Sequence, residues 1–554
     1  MKKYSKVLLL LTLSIFAGCK TTQTATEKKA TKKAPFVWEA ASVYFLMTDR
    51  FNNGDKSNDI NFDRNKTAGK LRGFEGGDIK GITQKIEEGY FDKLGINAIW
   101  FTPIVEQIHD AVDEGTGLSY GFHGYWARDW TALDPNFGTK EDLANLVKKA
   151  HAHGIRIILD GVINHTGPVT ETDTVWPNYW VRTGPTCDYQ NYQNTTECTL
   201  VANLPDIRTE STQNVDLPPF LIEKWKKEGR YDQEMEELDS FFKRTGYPKT
   251  PRYYIIKWLT DYIADYGIDG YRADTVKHTE ASVWADFKTQ SDYAFALWKK
   301  NNPTKVLDNN PFFTIAEVYN YNISSGKNFD FGNKKVNYFE NGFNNMINFE
   351  FKYDAQKDYE FIFSKYSAIL NGELKGNSVT NYLSSHDDGA PFDAKRTKTI
   401  EAATKLLLSP GVAQVYYGDE SARPLVIEGT QGDATLRSFM NWDAIKTNPE
   451  TKKVLSHYRK LGKFRKNHPA VGAGVHKEIS ALPYTFSRTY SKEAYKDEVF
   501  VGLDLPIGRK VLEVSAVFAD GTRLRDAYSG KVVEVKKGQV KIKTDFDIVL
   551  LEKR

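Results

Sequence analysis

Residues 267–278 read G-I-D-G-Y-R-A-D-T-V-K-H, and the rest of the chain can be interpreted around this stretch. Its apolar-leaning start runs into Arg272 and Asp274. In a β-strand, side chains two residues apart point to the same face, so we expect Arg272 and Asp274 to lie side by side. An arginine beside a carboxylate keeps it ionised and fixes its orientation. The stretch therefore predicts either a positioned carboxylate nucleophile or an ordinary buried ion pair.

Strand-like and helix-like segments alternate on both sides of this stretch. The strand-like runs are residues 42–47, 98–101, 155–159, 268–272, 312–316, 347–351, 379–383 and 412–416. Helical spacing of apolar residues appears between several of them, at 82–94, 141–152, 252–266 and 282–300. Near-continuous apolar strands alternating with helices indicate a parallel sheet that is covered on both faces. About eight of them predict an α/β fold, a (β/α)8 TIM barrel.

A chain of 554 residues is long enough for two or three domains. We expect the barrel in residues 36–165 and 251–470. Residues 166–250, which include a charged helix-like run at 221–242, predict a domain B inserted after the third strand. Short alternating runs split by Gly and Asp predict a C-terminal antiparallel β domain at 475–554.

The first residues have the pattern of an export signal, with a basic start, an apolar stretch and small residues before Cys19. The apolar stretch is too short to span a bilayer. Phe16-Ala17-Gly18-Cys19 resembles a bacterial lipobox. We expect a lipoprotein signal peptide at 1–19, a flexible tether at 20–35, and a lipid anchor on Cys19 that holds the protein to a membrane of the bacterial cell envelope. The alternative is a plain secretory signal.

Two cysteines remain, Cys187 and Cys198. An exported protein meets oxidising conditions, so we expect a local disulfide between them, the alternative being two free thiols. Lys and Arg number 75 against 72 Asp and Glu, a net charge of +3, which gives no basic field for nucleic acid. We expect a monomer without a nucleic-acid partner.

Four predicted strands end in polar groups. These are Asp160 to His165, Arg272 to His278, Ala316-Glu317 and His386-Asp387. Barrel enzymes carry their sites at the C-terminal ends of the strands. One acid in such a place is weak evidence, because solvated loop carboxylates are common. Several acids with His or Arg beside them predict one shared pocket.

In this order, the four blocks resemble the motifs of the α-amylase family, glycoside hydrolase family thirteen. Further matches are F-H-G-Y-W-A-R-D-W (122–130), L-P-D-I (204–207) and Y-Y-G-D-E (416–420), and the resemblance covers about residues 36–554. It implies hydrolysis of α-1,4-glucosidic bonds in starch, maltodextrins or related α-glucans, with retention of configuration. Alternatives within the class are a cyclodextrin glucanotransferase or a neopullulanase/cyclomaltodextrinase-type activity. An alternative of another class is a non-catalytic glycan-binding barrel.

Residue by residue, the resemblance implies three catalytic carboxylates. Asp274 would be the nucleophile, Glu317 the general acid/base, and Asp387 the acid that holds sugar hydroxyls. We choose Asp387 over Asp388 because the family pattern places the acid directly after His. Glu317 follows an apolar strand, so burial is expected to raise its pKa. The implied substrate-binding residues are His165, Arg272, Lys277, His278, His386 and Phe122. Phe122 stands where the family often has Tyr, and Ser385 where it has Asn.

Calcium is the cofactor that the resemblance implies. Asn164 matches a ligand between the barrel and the inserted domain, with the His278 carbonyl as another. A second cluster of hard oxygen ligands resembles the N-terminal calcium site of the cyclodextrin-forming branch. Its members are Asn53, Asp55, Asn58, Asp59, Gly76 and Asp78. The alternative for this cluster is a Gly/Asn/Asp turn without a metal.

Overall fold

Eight buried parallel strands close into a barrel in the computed structural model, which describes residues 34–554. The predicted signal peptide, Cys19 and nearly all of the predicted tether lie outside the described residues. The barrel strands are β1 (Ser42–Leu46), β2 (Ala98–Phe101), β3 (Arg156–Gly161), β4 (Gly270–Ala273), β5 (Phe313–Ala316), β6 (Asn345–Asn348), β7 (Ser378–Asn381) and β8 (Val412–Tyr416). Each strand pairs in parallel with its chain neighbours, and β8 closes onto β1. The predicted (β/α)8 barrel is confirmed.

Helices lie between the strands and after the last one. The longer helices are Ile79–Glu87, Lys140–Ala152, Pro219–Lys227, Tyr231–Thr245, Pro251–Tyr266, Ala281–Asn301, Tyr359–Asn371, Thr399–Leu408 and Pro449–Asn467. The strands are almost wholly buried because they face the barrel interior on one side and the helices on the other. Within the described part of the chain, none of the helices is long and apolar enough to cross a membrane.

Three predicted elements have other bounds in the structure. The helix predicted at 82–94 is two helices, Ile79–Glu87 and Tyr90–Leu94, separated at Gly89. The run predicted at 221–242 is likewise split near Gly229. Both glycines have positive φ (66° and 73°), a conformation that interrupts a right-handed helix and suits glycine. The sixth strand is β6, not 347–351, because the chain enters the short helix Phe351–Asp354 directly afterwards.

A long segment separates β3 from β4, where the sequence predicts domain B. It contains the short hairpin Val181–Arg182 with Asp206–Ile207, and the helices Pro219–Lys227 and Tyr231–Thr245. The cysteines of this segment, Cys187 and Cys198, are joined by a disulfide, as predicted. The exact limits 166–250 and 475–554 stay predictions, since residues 36–554 form one compact unit.

The predicted C-terminal antiparallel sheet is present. Its strands, in spatial order, are Val475–Ala481, Tyr484–Lys492, Tyr495–Gly502, Val549–Lys553, Arg523–Asp526 and Val532–Glu534, and a two-stranded sheet pairs Gly508–Glu513 with Gln539–Thr544. Successive side chains of the central strand Tyr495–Gly502 point to opposite faces of the sheet, and this explains how the sheet packs. Val499 and Val501 join the apolar core of the barrel, whereas Phe500 points into a separate core between the two C-terminal sheets.

A buried ionic cluster joins the end of the last long barrel helix to this sheet. His468 Nδ1 lies 2.8 Å from Asp497 Oδ1, and His468 Nε2 lies 2.6 Å from Glu552 Oε2. Burial alone would lower the pKa of His468, but the two carboxylates outweigh it and raise the pKa from 6.5 to about 9. The charged imidazole therefore holds the sheet against the barrel at neutral pH.

Replacing His468 with glutamine should destabilise the protein in a pH-dependent way. Because the folded-state pKa is raised, the stabilisation is fully present below about pH 6.5 and is lost as pH rises through about 9. We expect His468→Gln to lower the free energy of unfolding by about 3 kcal/mol more near pH 6 than near pH 10. Urea denaturation measures this difference. The control is His153→Gln, which removes a half-exposed pair with Asp92. Equal losses at the two pH values would contradict the assignment.

Candidate active site

The C-terminal ends of the barrel strands surround a cavity of about 640 Å³. All three predicted catalytic carboxylates line it. The lining side chains are Tyr125, Trp126, His165, Tyr189, Leu200, Leu204, Asp274, Thr275, Lys277, His278, Glu317, Tyr319, Asn320, His386, Asp387 and Arg437. They come from the loops after β2, β4, β5, β7 and β8 and from the segment between β3 and β4. Six separate stretches of chain thus meet at one pocket, as the polar strand ends predict.

Arg272 joins three carboxylates at the base of this cavity. Its Nη1 lies 2.9 Å from Asp160 Oδ1 and 2.7 Å from Asp274 Oδ1, and its Nη2 lies 2.7 Å from Glu317 Oε1. The predicted neighbourhood of Arg272 and Asp274 is confirmed. The contact with Glu317 was not predicted, because no spacing rule links β4 to the next strand. Arg272 is only 1% exposed and is not among the side chains that line the cavity, so its guanidinium orients the carboxylates; its role in substrate binding stays a prediction.

Glu317 follows β5 directly and is 7% exposed. The Thr275 N–H donates a hydrogen bond to its Oε2 at 2.9 Å. Burial raises the pKa of Glu317 well above its ordinary value; Arg272 opposes this, and the charges of Asp274 and Asp387 add to it. The expectation of a raised pKa is confirmed. A carboxyl that keeps its proton towards neutral pH can act as a general acid.

Asp387 and Asp388 are adjacent in sequence but have different surroundings. Asp387 lines the cavity, and the Ser385 hydroxyl donates to its Oδ1 at 3.2 Å. Asp388 instead forms an ion pair with Lys352 and accepts a 2.6 Å hydrogen bond from the Tyr382 hydroxyl. The Asp387 side chain is 42% exposed, and its neighbours His386, Arg272 and Arg437 together lower its pKa. An ionised Asp387 facing the cavity supports its choice over Asp388.

The three predicted histidines all line the cavity. Burial lowers the pKa of His278 and of His386 to about 4, and it also lowers the pKa of His165. The rings are therefore neutral at neutral pH, and each has one N–H donor and one acceptor nitrogen. Backbone oxygens orient two of them, since Tyr125 O lies 3.1 Å from His165 Nε2 and Thr195 O lies 3.1 Å from His278 Nδ1.

The disulfide loop forms one wall of the cavity. Cys187 Sγ lies 3.9 Å from His278 Nδ1, and the Tyr189 ring packs edge-on against the His278 ring with centroids 5.4 Å apart. Lys277, also in the wall, has its Nζ 5.6 Å from the centroid of Tyr189 and 5.2 Å from that of Tyr319. The segment between β3 and β4 therefore shapes the cavity around the residues that follow β4.

Phe122 does not line the cavity, contrary to the prediction. Its ring is 1% exposed and packs beneath Arg50, whose guanidinium carbon lies 4.0 Å from the ring centroid. Tyr125, three residues later in the same motif, is half-buried and lines the cavity instead. Its hydroxyl donates to Asp160 Oδ2 at 2.8 Å, and its ring stacks on that of His386 with centroids 5.3 Å apart. The tight turn at Gly124, φ 91°, separates the two aromatic positions.

The predicted N-terminal calcium cluster divides into two groups. Asp78 caps the helix Ile79–Glu87 and accepts hydrogen bonds from three backbone N–H groups, and Asp55 forms an ion pair with Lys80 at 2.5 Å. These two carboxylates are already satisfied. The remaining members are Asn53, Asn58, Asp59 and Gly76.

These four residues suit a hard cation. The buried Asn58 Oδ1 has no hydrogen-bond partner, and Asn53 Nδ2 donates to Asp59 Oδ1 at 2.9 Å. A side chain at Gly76 would collide with Asn53 and Asp59, so only glycine lets the backbone approach these two side chains so closely. Among residues 34–554, no group of three or more His, Cys, Asp or Glu is arranged to hold a metal. Amide and carbonyl oxygens would have to complete any set of ligands here.

In the second predicted calcium region, Asp206 lies close to Asn164, although the sequence did not predict Asp206 as a site residue. Asn164 is 1% exposed, and its backbone oxygen accepts a 2.8 Å hydrogen bond from Ile207 N. This contact brings Asp206 beside it. Burial raises the pKa of Asp206 to about 9, and its Oδ2 lies 2.9 Å from Arg182 Nε without the alignment of a hydrogen bond. Asp206 belongs to the L-P-D-I motif, which was the available signal.

Comparison with known proteins agrees with this geometry. The profile of the alpha-amylase catalytic domain matches residues 45–441. A periplasmic alpha-amylase of Escherichia coli K12 is 35% identical over 497 residues, covering 80% of this chain and 69% of the relative. A cyclomaltodextrin glucanotransferase of Thermoanaerobacterium thermosulfurigenes is 28% identical over 521 residues, covering 88% and 64%. A solved alpha-amylase from Anoxybacillus matches with a TM-score of 0.63 at 24% identity, covering 94% of this chain and 99% of that one.

The carboxylates at the C-terminal face of the (β/α)8 barrel and the match to the alpha-amylase catalytic domain together assign the chain to the glycoside hydrolases. The profile match covers well over half of the sequence. The chain belongs to the alpha-amylase family, whose activity is the hydrolysis of α-glucans.

Proposed function

We propose that the enzyme hydrolyses α-1,4-glucosidic bonds of starch-like glucans with retention of configuration, through Asp274, Glu317 and Asp387. The observation that carries this proposal is the double contact of Arg272, which holds one carboxylate from each of two neighbouring strands at the same cavity. Retaining glycosidases need their two carboxyl groups about 5–5.5 Å apart, closer than inverting ones. One guanidinium bound to both favours the closer arrangement.

The first step transfers the sugar to the enzyme. Arg272 Nη1 donates a hydrogen bond to Asp274 Oδ1 and fixes that oxygen, so Oδ2 is the oxygen that attacks the anomeric carbon. The bond from that carbon to the glycosidic oxygen breaks, and Glu317 gives its proton to the leaving oxygen. The product is a glycosyl ester on Asp274, and Glu317 is now ionised.

The second step releases the sugar. Ionised Glu317 takes a proton from a water molecule as the water oxygen attacks the same carbon, and Asp274 leaves as a carboxylate. Asp387 and the neutral rings of His165, His278 and His386 bind hydroxyls of the sugar at the cleavage point. Two inversions at one carbon give net retention.

Transfer to another sugar in place of water is a second candidate activity. The cyclomaltodextrin glucanotransferase relative supports it, and the chain covers less than two thirds of that relative. Product analysis on starch, pullulan and cyclodextrin distinguishes the candidates. Linear maltooligosaccharides from starch support hydrolysis, and cyclic products support transfer. If the pure protein releases no product from any of the three substrates at any calcium level, the alternative of a glycan-binding barrel stands instead.

Calcium would be held by the oxygens of Asn53, Asn58, Asp59 and Gly76, with a second ion near Asn164 and the His278 carbonyl. Bound there, it would supply positive charge that fixes the loops around the catalytic residues. The unpaired Asn58 Oδ1 and the close approach of the Gly76 backbone to Asn53 and Asp59 support the first site.

Removal of calcium should lower the melting temperature of the protein, because an ion bound only to the folded state stabilises it by mass action. Asp59→Asn should weaken the site and so reduce the effect of an added chelator. The control is Asp520→Asn, an exposed turn carboxylate of the C-terminal domain that accepts from Lys537 N and Gly538 N. Melting curves with and without chelator measure the difference. An unchanged melting curve after exhaustive chelation would contradict the proposal that bound calcium stabilises the enzyme.

Two observations, the N-terminal sequence and one relative, support the cellular location that we propose for the enzyme. The periplasmic alpha-amylase of Escherichia coli supports a place in the cell envelope. The lipobox-like Cys19 supports a lipid anchor, with the barrel tethered to the membrane by residues 20–35. Cys19→Ser should release active enzyme into the soluble fraction. If the processed variant stays with the membrane as firmly as the parent, the anchor is not at Cys19. A monomer remains our expectation.

A further inference from the structure

A second cavity, of about 330 Å³, opens beside the catalytic cavity. The two cavities share Tyr319 and Asn320, which closely follow Glu317 in the loop after β5. The adjacent acids of the β7 loop divide between them, since Asp387 lines the catalytic cavity and Asp388 lines the second one. The two cavities are therefore neighbouring parts of one cleft.

Two exposed tyrosine rings mark this second cavity. Tyr319 is 55% exposed and Tyr353 is 61% exposed, although most large rings of the described chain are buried. Phe349 supports Tyr319 by an edge-on contact, with ring centroids 5.2 Å apart at 71°. Lys352 Nζ lies 4.9 Å from the Tyr353 ring centroid. Exposed rings held in place beside an active cleft are suited to stacking against a ligand.

Polar groups complete the cavity and hold the Tyr353 region rigid. Lys352 is only 6% exposed and forms an ion pair with Asp388, which also accepts the hydrogen bond from Tyr382. The exposed side chains of Asn320 and Asn322 border the same space. The cavity thus combines an aromatic face with amide and carboxylate groups.

We propose that the second cavity is a distal subsite for one glucose unit of the substrate chain, with Tyr353 as its stacking platform. The proposal rests on the function proposed above and adds a preference for long linear chains. A pyranose ring has an apolar face of C–H groups that packs on an aromatic ring, and hydroxyls at its edge that bond to amides and carboxylates. Because the shared residues Tyr319 and Asn320 follow the proton donor Glu317, the subsite lies on the leaving-group side. That side holds the reducing end of the chain.

The test compares short and long substrates with full-length variants. Tyr353→Ala removes the platform, and Tyr353→Phe keeps the ring. Tyr293→Ala is the matched control, because Tyr293 is 45% exposed, packs on Arg244 and lines neither cavity. For Tyr353→Ala we expect kcat/KM on maltoheptaose to fall about tenfold with no change on maltotriose. Tyr353→Phe and Tyr293→Ala should match the parent on both substrates.

The position of cleavage gives an independent reading. Loss of a subsite on the leaving-group side should shift cleavage of reducing-end-labelled maltoheptaose towards the labelled end, so shorter labelled products form. An unchanged ratio of long to short kcat/KM in Tyr353→Ala, with unchanged products, would overturn the subsite. If the parent cleaves no α-glucan, the proposed hydrolytic function is wrong, and the subsite is then tested separately by the dissociation constant for maltoheptaose. About tenfold weaker binding in Tyr353→Ala supports the subsite, while equal binding, or none by the parent, overturns it.

Discussion

Asp274→Asn should lower the turnover of starch by about 10⁴-fold or more, the scale on which loss of a covalent nucleophile acts. The amide cannot form the glycosyl ester, and every later step depends on that ester. The loss should extend to α-maltosyl fluoride, whose leaving group needs little help from an acid. Steady-state kinetics on both substrates measure it.

The fold of the variant needs its own control, since Asp274 belongs to the buried network of Arg272. Circular dichroism and melting temperature report whether the barrel is intact. Asp443→Asn is the matched substitution, because Asp443 is 99% exposed, and it should leave turnover unchanged. Near-normal starch hydrolysis by folded Asp274→Asn would remove Asp274 from the nucleophile role.

Glu317→Gln should lower turnover of starch by about 10²–10⁴-fold, the usual contribution of a general acid. The effect should depend on the leaving group. The first step on α-maltosyl fluoride needs little protonation of the leaving group. The rate of fluoride release in the first turnover, seen as a burst in the variant, should therefore remain close to that of the parent. This behaviour separates Glu317 from Asp274, whose variant should show no burst. Later turnovers of the fluoride should slow in any case, because Glu317 is also the base of the second step. A first turnover of the fluoride that is slowed as much as starch hydrolysis would contradict the assignment of Glu317 as proton donor.

The pH profile tests the same assignment. Burial, with the charges of Asp274 and Asp387, raises the pKa of Glu317, so the alkaline limb of kcat/KM should lie well above the ordinary range of a glutamate. Asp387→Asn removes one of the negative charges and should lower the pKa of Glu317. The alkaline limb of its residual activity should therefore move to lower pH. A limb that stays in place would mean that another group controls it.

The ends of the strands could be predicted because the pattern that marks each of them lies within a few neighbouring residues. Apolar runs that stop at Asp160, Arg272, Glu317 and His386 identify both the strands and the face of the barrel where the acids meet. The pairing of Arg272 with Asp274 follows from the two-residue period of a strand. Hence the fold and the meeting of these polar strand ends at one cavity could be predicted from the sequence pattern, whereas the roles of the three carboxylates and the choice of Asp387 over Asp388 came from the resemblance to the family.

The remaining features depend on contacts between distant segments. The bond from Arg272 to Glu317 and the packing of the disulfide loop on His278 join residues that no sequence period relates. Phe122 was misplaced because the turn at Gly124, and not the motif itself, decides which aromatic ring reaches the cavity. The breaks near Gly89 and Gly229 were missed because apolar periodicity continues across a glycine that leaves the helical conformation.

The most direct test of the central claim is the configuration of the first product. Proton nuclear magnetic resonance can follow the anomeric signals of a maltooligosaccharide during the first minutes of hydrolysis, before mutarotation mixes the anomers. Attack by Asp274 followed by attack by water predicts that the α-anomer appears first and the β-anomer only later. If the β-anomer appears first, the enzyme inverts, and Asp274 is not the nucleophile nor Glu317 the acid/base of a retaining reaction.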